Sequence, residues 1–110
     1  MEEKILKILT ELTALKSRTG TSDENLASEY IFNYISGLEY FKAHRENCGL
    51  VEIESDPLKR HIPYGFIRGK SGRTVILGGH FDVVDEFDYG DARELAYNIG
   101  EKLEEALKKN

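Results

Sequence analysis

The chain has few of the residues that mark specialised classes of protein: its 110 residues include one cysteine, one methionine, two prolines and no tryptophan. The single cysteine, Cys48, excludes an intrachain disulfide and favours a reducing compartment. No apolar run approaches the roughly 18 residues that a membrane span requires. The amino terminus, Met1-Glu2-Glu3-Lys4, is acidic and lacks the basic start of a secretory signal. These absences predict a cytoplasmic chain with no membrane partner.

An excess of basic residues is also absent, since 20 acidic residues outnumber 15 basic ones and give a net charge of -5. This balance argues against nucleic acid or an anionic membrane as a partner, because those surfaces recruit lysine and arginine. The hydrophobic share of 40% is too high for a disordered chain. At this length the chain forms one domain at most, with a modest core.

Helical periodicity opens the chain. Apolar residues recur at three- and four-residue spacing over residues 2–16, which predicts an amphipathic helix. The segment Ser17-Arg18-Thr19-Gly20 then breaks this pattern. Thr21 and Glu24, three residues apart, predict a capping box for a second helix that runs to about Leu38.

The pattern then changes to the alternation of β-strands. One strand is predicted to begin at Leu50 and end near Ser55, where the Asp56-Pro57 turn follows, and a second covers residues 62–68. The nearly continuous apolar run of residues 74–79 predicts a third strand that is covered on both faces. Short connections between the strands imply antiparallel neighbours.

A last helical pattern spans residues 92–109, with an interruption at Asn98-Ile99-Gly100. The complete order predicts an α/β fold with two amino-terminal helices, a short mixed or antiparallel strand set and a carboxy-terminal helix. No further strand follows residues 74–79, so their free edge predicts self-association or a covering partner. The final helix has no cap of its own, which leads us to expect an incomplete domain.

The segment that carries chemistry is residues 78–84, directly after the most apolar strand. Successive side chains of a strand point to opposite faces, so His80 and Asp82 share a face. A neutral imidazole can ligate a metal through one nitrogen while a carboxylate accepts the proton of the other. The pair supplies one ligand and the group that orients it, fewer than the three or four ligands of a zinc site.

Other candidate sites have weaker support. Residues 65–71, which include Lys70, are similar to a phosphate-binding loop, but three residues separate the glycines and a strand follows, which favours a hairpin turn. His44 and His61 have no partner at ligand spacing and receive no role. The acidic run of residues 85–91 could bind a cation or a guanidinium group, although such runs are usually solvated. No serine or cysteine lies in a nucleophile elbow.

The motif and its flanking elements resemble the zinc-dependent aminoacylase, desuccinylase and carboxypeptidase family of co-catalytic metallopeptidases. The amino-terminal pattern of that family has two helices, a strand hairpin and an apolar strand that ends in Gly-His-x-Asp-Val-Val. Asp88-Tyr89-Gly90, with Asp56-Pro57-Leu58 upstream, is most similar to the arginine-utilisation, RocB-like branch. The resemblance covers residues 1–110 as the first part of one catalytic domain.

The resemblance implies that His80 ligates one of two zinc ions and that Asp82 is the catalytic residue that orients it. It implies hydrolysis of an amide bond in an amino-acid derivative or small peptide, in arginine or amino-acid catabolism, by a zinc-held water that a glutamate deprotonates. The bridging aspartate, that glutamate, the other ligands and the dimerisation domain of the family are not in this sequence, and Asp85 replaces a common proline. We therefore expect this chain alone to bind zinc weakly and to hydrolyse nothing.

Two other hypotheses stay open. The chain could be a small non-catalytic α/β module that binds a protein partner through the exposed strand edge. Alternatively, Gly69-Lys70-Ser71 could bind a nucleotide phosphate. By the resemblance, the groups that select a substrate lie outside these residues.

Overall fold

The computed structural model describes residues 1–109. Within that range it contains four α-helices and one two-stranded antiparallel sheet, which confirms the α/β fold class. The helices are α1 (Glu2–Ala14), α2 (Glu24–Ser36), α3 (Glu39–Ala43) and α4 (Glu101–Lys108), and the strands are β1 (Cys48–Glu52) and β2 (His61–Gly65). Two 3-10 helices cover Arg45–Asn47 and Phe87–Leu95.

The main core forms where α2 and α3 pack on the two strands. β1 and β2 pair in the register that sets Cys48 opposite Gly65 and Glu52 opposite His61, so the predicted antiparallel hairpin is confirmed. Ala27 of α2 is completely buried and Phe41 of α3 is 5% exposed. The amphipathic α1 contacts α2 through the Tyr30 hydroxyl, which donates to the Glu11 carboxylate.

The turn between the strands is held by a charged cluster. The Asp56 carboxylate accepts hydrogen bonds from Nε of Arg60 at 2.8 Å and from its backbone N–H at 2.9 Å. The same guanidinium contacts Glu24 of α2 at 3.2 Å. β1 ends before the predicted Ser55 because that residue adopts a positive φ of 63° as the chain turns. This cluster therefore ties the hairpin to the beginning of α2.

The predicted capping box at Thr21 and Glu24 is wrong in its pairing. The hydroxyl of Thr21 accepts the N–H of Asp23 at 3.2 Å, whereas the Glu24 carboxylate accepts the N–H of Gly20 at 2.7 Å. A turn in which Glu24 N donates to Thr21 O precedes the helix. Because of this additional turn, the glutamate reaches back four residues rather than three.

The predicted third strand at residues 74–79 is also wrong, as is the hairpin turn before it. No strand is present in residues 66–82, and Val75, Ile76 and Leu77 are 82%, 88% and 93% exposed. A strand requires hydrogen bonds from a neighbouring strand, and β2 ends at Gly65 without extending alongside this segment. The apolar pattern is therefore present without a partner that would convert it into a strand.

The carboxy-terminal helical pattern is interrupted where the sequence predicts. Gly100 has a φ of 152°, a value that favours glycine, and α4 begins at the next residue. Before it, the 3-10 helix Phe87–Leu95, which is kinked at Gly90, contains all of the acidic run of residues 85–91 except its first two residues. Ala92, Ala96 and Tyr97 are buried there as a second small core.

Within residues 1–109, no helix combines the length and the apolarity that a membrane crossing demands.

Candidate functional site

The backbone of the motif is anchored to the connection between α1 and α2. Residues 17–19 run parallel to residues 81–83: Val83 N donates to Ser17 O, and Thr19 N donates to Val83 O, both at 2.9 Å. The sequence pattern shows residues 17–19 only as a helix break. Their pairing with a segment that follows more than 60 residues later fixes the position of the motif.

A buried hydroxyl reinforces this anchor. Ser17 is 1% exposed, and its Oγ donates to the carbonyl of Phe81 at 2.7 Å. A buried hydroxyl without a partner would destabilise the fold, so this bond also satisfies the serine. Sequence reasoning missed Ser17 and Thr19; the available signal was the alternation of hydroxyl residues in a segment that leaves the helical period.

His80 and Asp82 meet directly. Nδ1 of His80 lies 2.9 Å from Oδ1 of Asp82, so the shared face that the motif predicts is present even though no strand forms before it. The hydroxyl of Thr19 donates to the other oxygen, Oδ2, at 2.8 Å. The hydrogen bond from Thr19, which has the larger effect, and the one from His80 lower the pKa of the Asp82 carboxyl below its ordinary value.

The hydrogen-bond chemistry fixes the tautomer of a neutral His80. An ionised carboxylate only accepts hydrogen bonds, so Nδ1 of His80 must carry the proton that points at Asp82. The lone pair of the neutral ring then lies on Nε2. The His80 side chain is 87% exposed and that of Asp82 is 31% exposed, so the imidazole projects outward from a partly covered carboxylate. This arrangement suits a single metal ligand with its orienting group.

The described part of the chain does not complete a metal site. Among residues 1–109, no group of three or more histidine, cysteine, aspartate or glutamate side chains could hold a metal ion. His61 is engaged by Asn25 at 3.3 Å, and His44 lies 3.7 Å from Glu46. One imidazole does not fit the ligand number that zinc requires.

The acidic residues after the motif contact protein groups. Asp85 Oδ1 accepts the N–H of Phe87 at 2.9 Å, at the start of the 3-10 helix. Glu86 accepts a hydrogen bond from the Tyr97 hydroxyl at 2.7 Å and lies 3.8 Å from the Arg18 guanidinium. Burial and the contact with Glu86 raise the pKa of Tyr97 to about 12. These contacts give Asp85 and Glu86 structural roles, and cation binding by residues 85–91 stays a prediction.

The phosphate-loop alternative lacks its essential element. Gly69-Lys70-Ser71 is followed by residues without helix as far as the 3-10 helix that begins at Phe87. A phosphate-binding loop delivers its ligand to the amides at the beginning of a helix. The geometry therefore gives no support to nucleotide binding at Lys70.

Two curated proteins of Bacillus subtilis (strain 168) are similar to the chain over most of its length. Uncharacterized protein YqjN is 30% identical over 109 residues, which cover 98% of this chain and 19% of YqjN. Protein RocB is 31% identical over 105 residues, which cover 94% of this chain and 18% of RocB. The chain is distantly related to RocB. It spans about a fifth of the length of these curated relatives.

No protein-family model matches the chain, and no solved structure matches it. The relation to RocB supports the RocB-like part of the predicted resemblance. The metallopeptidase part stays a prediction.

Proposed function

We propose that this chain is the amino-terminal part of the catalytic domain of a zinc-dependent amidohydrolase or exopeptidase. The proposed substrate is an amino-acid derivative or small peptide with a cleavable amide bond, in arginine or amino-acid catabolism. The observation that carries the proposal is the 2.9 Å contact of His80 Nδ1 with Asp82, which leaves Nε2 exposed as a ligand. The similarity to RocB supports the RocB-like part of the resemblance on which the proposal also rests.

In this proposal each residue has a limited role. His80 contributes one nitrogen ligand, and Asp82 keeps the ring in the tautomer and orientation that present this nitrogen. Zinc, when bound, would supply Lewis acidity and an activated water for amide hydrolysis. Residues outside this chain would provide the remaining ligands and the catalytic glutamate.

The test is to express the complete reading frame from which this chain comes and to measure its zinc content and its hydrolysis of N-acyl amino acids and dipeptides. We expect His80→Ala to lower the zinc content and to abolish hydrolysis, because it removes a ligand. His44→Ala is the matched control: it removes an exposed histidine that follows α3, and we expect it to change neither quantity.

Two results would contradict the proposal. One is a zinc content that does not depend on His80. The other is a reading frame that ends at residue 110, because such a protein would lack the ligands that the mechanism requires.

One observation favours a second candidate function, a non-catalytic module that binds a protein partner. Val75, Ile76 and Leu77 form a contiguous apolar run that is at least 82% exposed. Such a run favours association, with another protein or with a second copy of the chain.

Light scattering of the 110-residue chain tests self-association. We expect the native chain to form oligomers and the Ile76→Lys variant to be monomeric. A native chain that stays monomeric at high concentration would contradict self-association through this run.

A further inference from the structure

We propose that Thr19 is a positioning residue that acts on His80 through Asp82, an inference that rests on the proposed function of His80. Thr19 lies in the connection between α1 and α2 and forms no hydrogen bond with the imidazole. Its hydroxyl donates to the Asp82 carboxylate, which in turn accepts from the imidazole. The three side chains form one chain of hydrogen bonds, with separations of 2.8 Å and 2.9 Å.

The hydroxyl of Thr19 donates its single proton in a hydrogen bond to Asp82. Its Oγ1 lies 2.8 Å from Asp82 Oδ2 and 3.1 Å from the carbonyl of Val83, and it can donate to only one of them. The carbonyl of Val83 already accepts the N–H of Thr19, whereas a charged carboxylate is the stronger acceptor. The shorter contact to the charged group is therefore the one that receives the proton.

This donor determines the orientation of the carboxylate. Rotation of an aspartate about its last side-chain bond is only weakly restricted. In Asp82 each oxygen has its own donor, with Oδ2 held by Thr19 and Oδ1 held by His80. Removing the Thr19 donor leaves the carboxylate free to turn, and the orientation of the exposed imidazole then depends on one bond instead of two.

The position of Thr19 is itself fixed by the fold. Its N–H is bonded to Val83, and two residues earlier Ser17 is bonded to both Val83 and Phe81. A β-branched side chain also has few side-chain rotamers. Thr19 thus presents its hydroxyl from a backbone that is bound to the same segment that carries Asp82.

The experiment measures the tautomer of His80 in the metal-free 110-residue chain with ¹⁵N-labelled histidine, by long-range ¹H–¹⁵N correlation at about pH 8.5, where an unperturbed imidazole is neutral. We expect the Nδ1–H tautomer to predominate in the native chain. In Thr19→Val, which keeps the shape but removes the hydroxyl, we expect the Nε2–H fraction to rise severalfold. Thr19→Ser retains a donor and is expected to restore the native fraction.

Thr10→Val is the matched control. It makes the same chemical change on α1, where the hydroxyl donates to the carbonyl of Leu6. We expect it to leave the tautomer of His80 unchanged. A native tautomer ratio in Thr19→Val would overturn the proposal, as would the same altered ratio in Thr10→Val, since that would indicate a general loss of structure.

Zinc content of the complete reading-frame product separates this inference from the proposed function. If Thr19→Val changes the tautomer while His80→Ala does not affect zinc content, the positioning role stands and the metal assignment fails. If His80→Ala removes zinc while Thr19→Val leaves the tautomer unchanged, the metal assignment stands and the positioning role fails. If both hold, Thr19→Val should weaken zinc binding by less than the roughly 10- to 100-fold that loss of a direct partner of a ligating histidine costs, because Thr19 acts through Asp82.

Discussion

Gly65, the last residue of β2, provides the most direct test of the packing. A Cβ atom at this position would lie 2.9 Å from Cζ of Phe41 and 3.3 Å from Cγ2 of Ile35. Non-bonded carbon atoms are most stable at about 3.5 to 4.0 Å, so Gly65→Ala forces a neighbour to move. Phe41 is only 5% exposed and has little room to do so.

Two opposing effects determine how much Gly65→Ala changes the free energy of unfolding. Gly65 itself is exposed, but its Cβ would press on the buried Phe41 ring, and adding a methyl group against packed side chains costs about 1 to 3 kcal/mol. Alanine in a strand is better than glycine by about 0.5 to 1 kcal/mol, because glycine loses more backbone entropy on folding. The clash is the larger effect, and the midpoints of the two ranges lead us to expect that Gly65→Ala lowers the free energy of unfolding by about 1 kcal/mol.

Gly49 supplies a matched control in the partner strand. A Cβ atom there would also lie 2.9 Å from a ring, that of Tyr64, but Tyr64 is 43% exposed and can swing into solvent. Gly49→Ala should therefore cost much less. Urea denaturation followed by circular dichroism measures the change in the free energy of unfolding for both variants. The comparison requires that the dependence of this free energy on urea concentration is the same in both. A Gly65→Ala chain that is as stable as Gly49→Ala would refute the argument that burial of Phe41 prevents relaxation.

Three further predictions concern charge, a buried hydroxyl and metal. Hydrogen bonds from Arg60 lower the pKa of Asp56 from 3.8 to about 2, so the ionised carboxylate stabilises the fold above about pH 4 and this contribution is lost as the pH falls toward 2. The free energy of unfolding should therefore fall less steeply over that pH range in Asp56→Asn than in the native chain. Equal pH dependence in the two chains would argue against the stabilising role of the Asp56–Arg60 cluster. Tyr97→Phe leaves the buried ring but removes the donor to Glu86, and thermal denaturation should show a loss of about 1 kcal/mol, whereas unchanged stability would contradict this bond. Calorimetry should detect only weak zinc binding by the 110-residue chain; tight binding that is lost in His80→Ala would show that these residues suffice.

Local patterns in the sequence predict the local parts of the structure. These parts are the amphipathic period of α1, the glycine that interrupts the last helical pattern and the Asp56-Pro57 turn. Each of them depends on neighbours within a few residues. His80 and Asp82 also belong to this class, because a spacing of two residues in extended backbone is enough to bring them together.

Features that depend on distant residues could not be predicted in the same way. The apolar pattern of residues 74–79 indicates a strand, but pairing depends on a neighbour that the described residues do not provide. Thr19 is 63 residues away from Asp82 in sequence, and no periodicity relates them. Sequence patterns therefore predicted the contact between His80 and Asp82 and missed the hydrogen bond from Thr19 to Asp82.

The exposed apolar run lies between two fixed points. Before it, Phe66 N donates to Asn47 O at 2.7 Å and Arg68 N donates to the Tyr40 hydroxyl at 3.1 Å. After it, Phe81 accepts the hydroxyl of Ser17. A strand that paired with residues 74–77 would therefore meet a segment that is held at both ends.

Burial of this run would contribute substantially to such pairing. Complete burial of a valine, isoleucine or leucine side chain stabilises by about 1.5 to 3 kcal/mol each, so Val75, Ile76 and Leu77 together offer roughly 5 to 9 kcal/mol before the cost of ordering the chain. In both proposed functions the same segment receives this stabilisation, from further parts of a catalytic domain or from a separate partner. The two cases differ at His80: only a catalytic domain must bring additional metal ligands to the imidazole as it covers the run. Zinc dependence of that association, lost in His80→Ala, is therefore the property that distinguishes them.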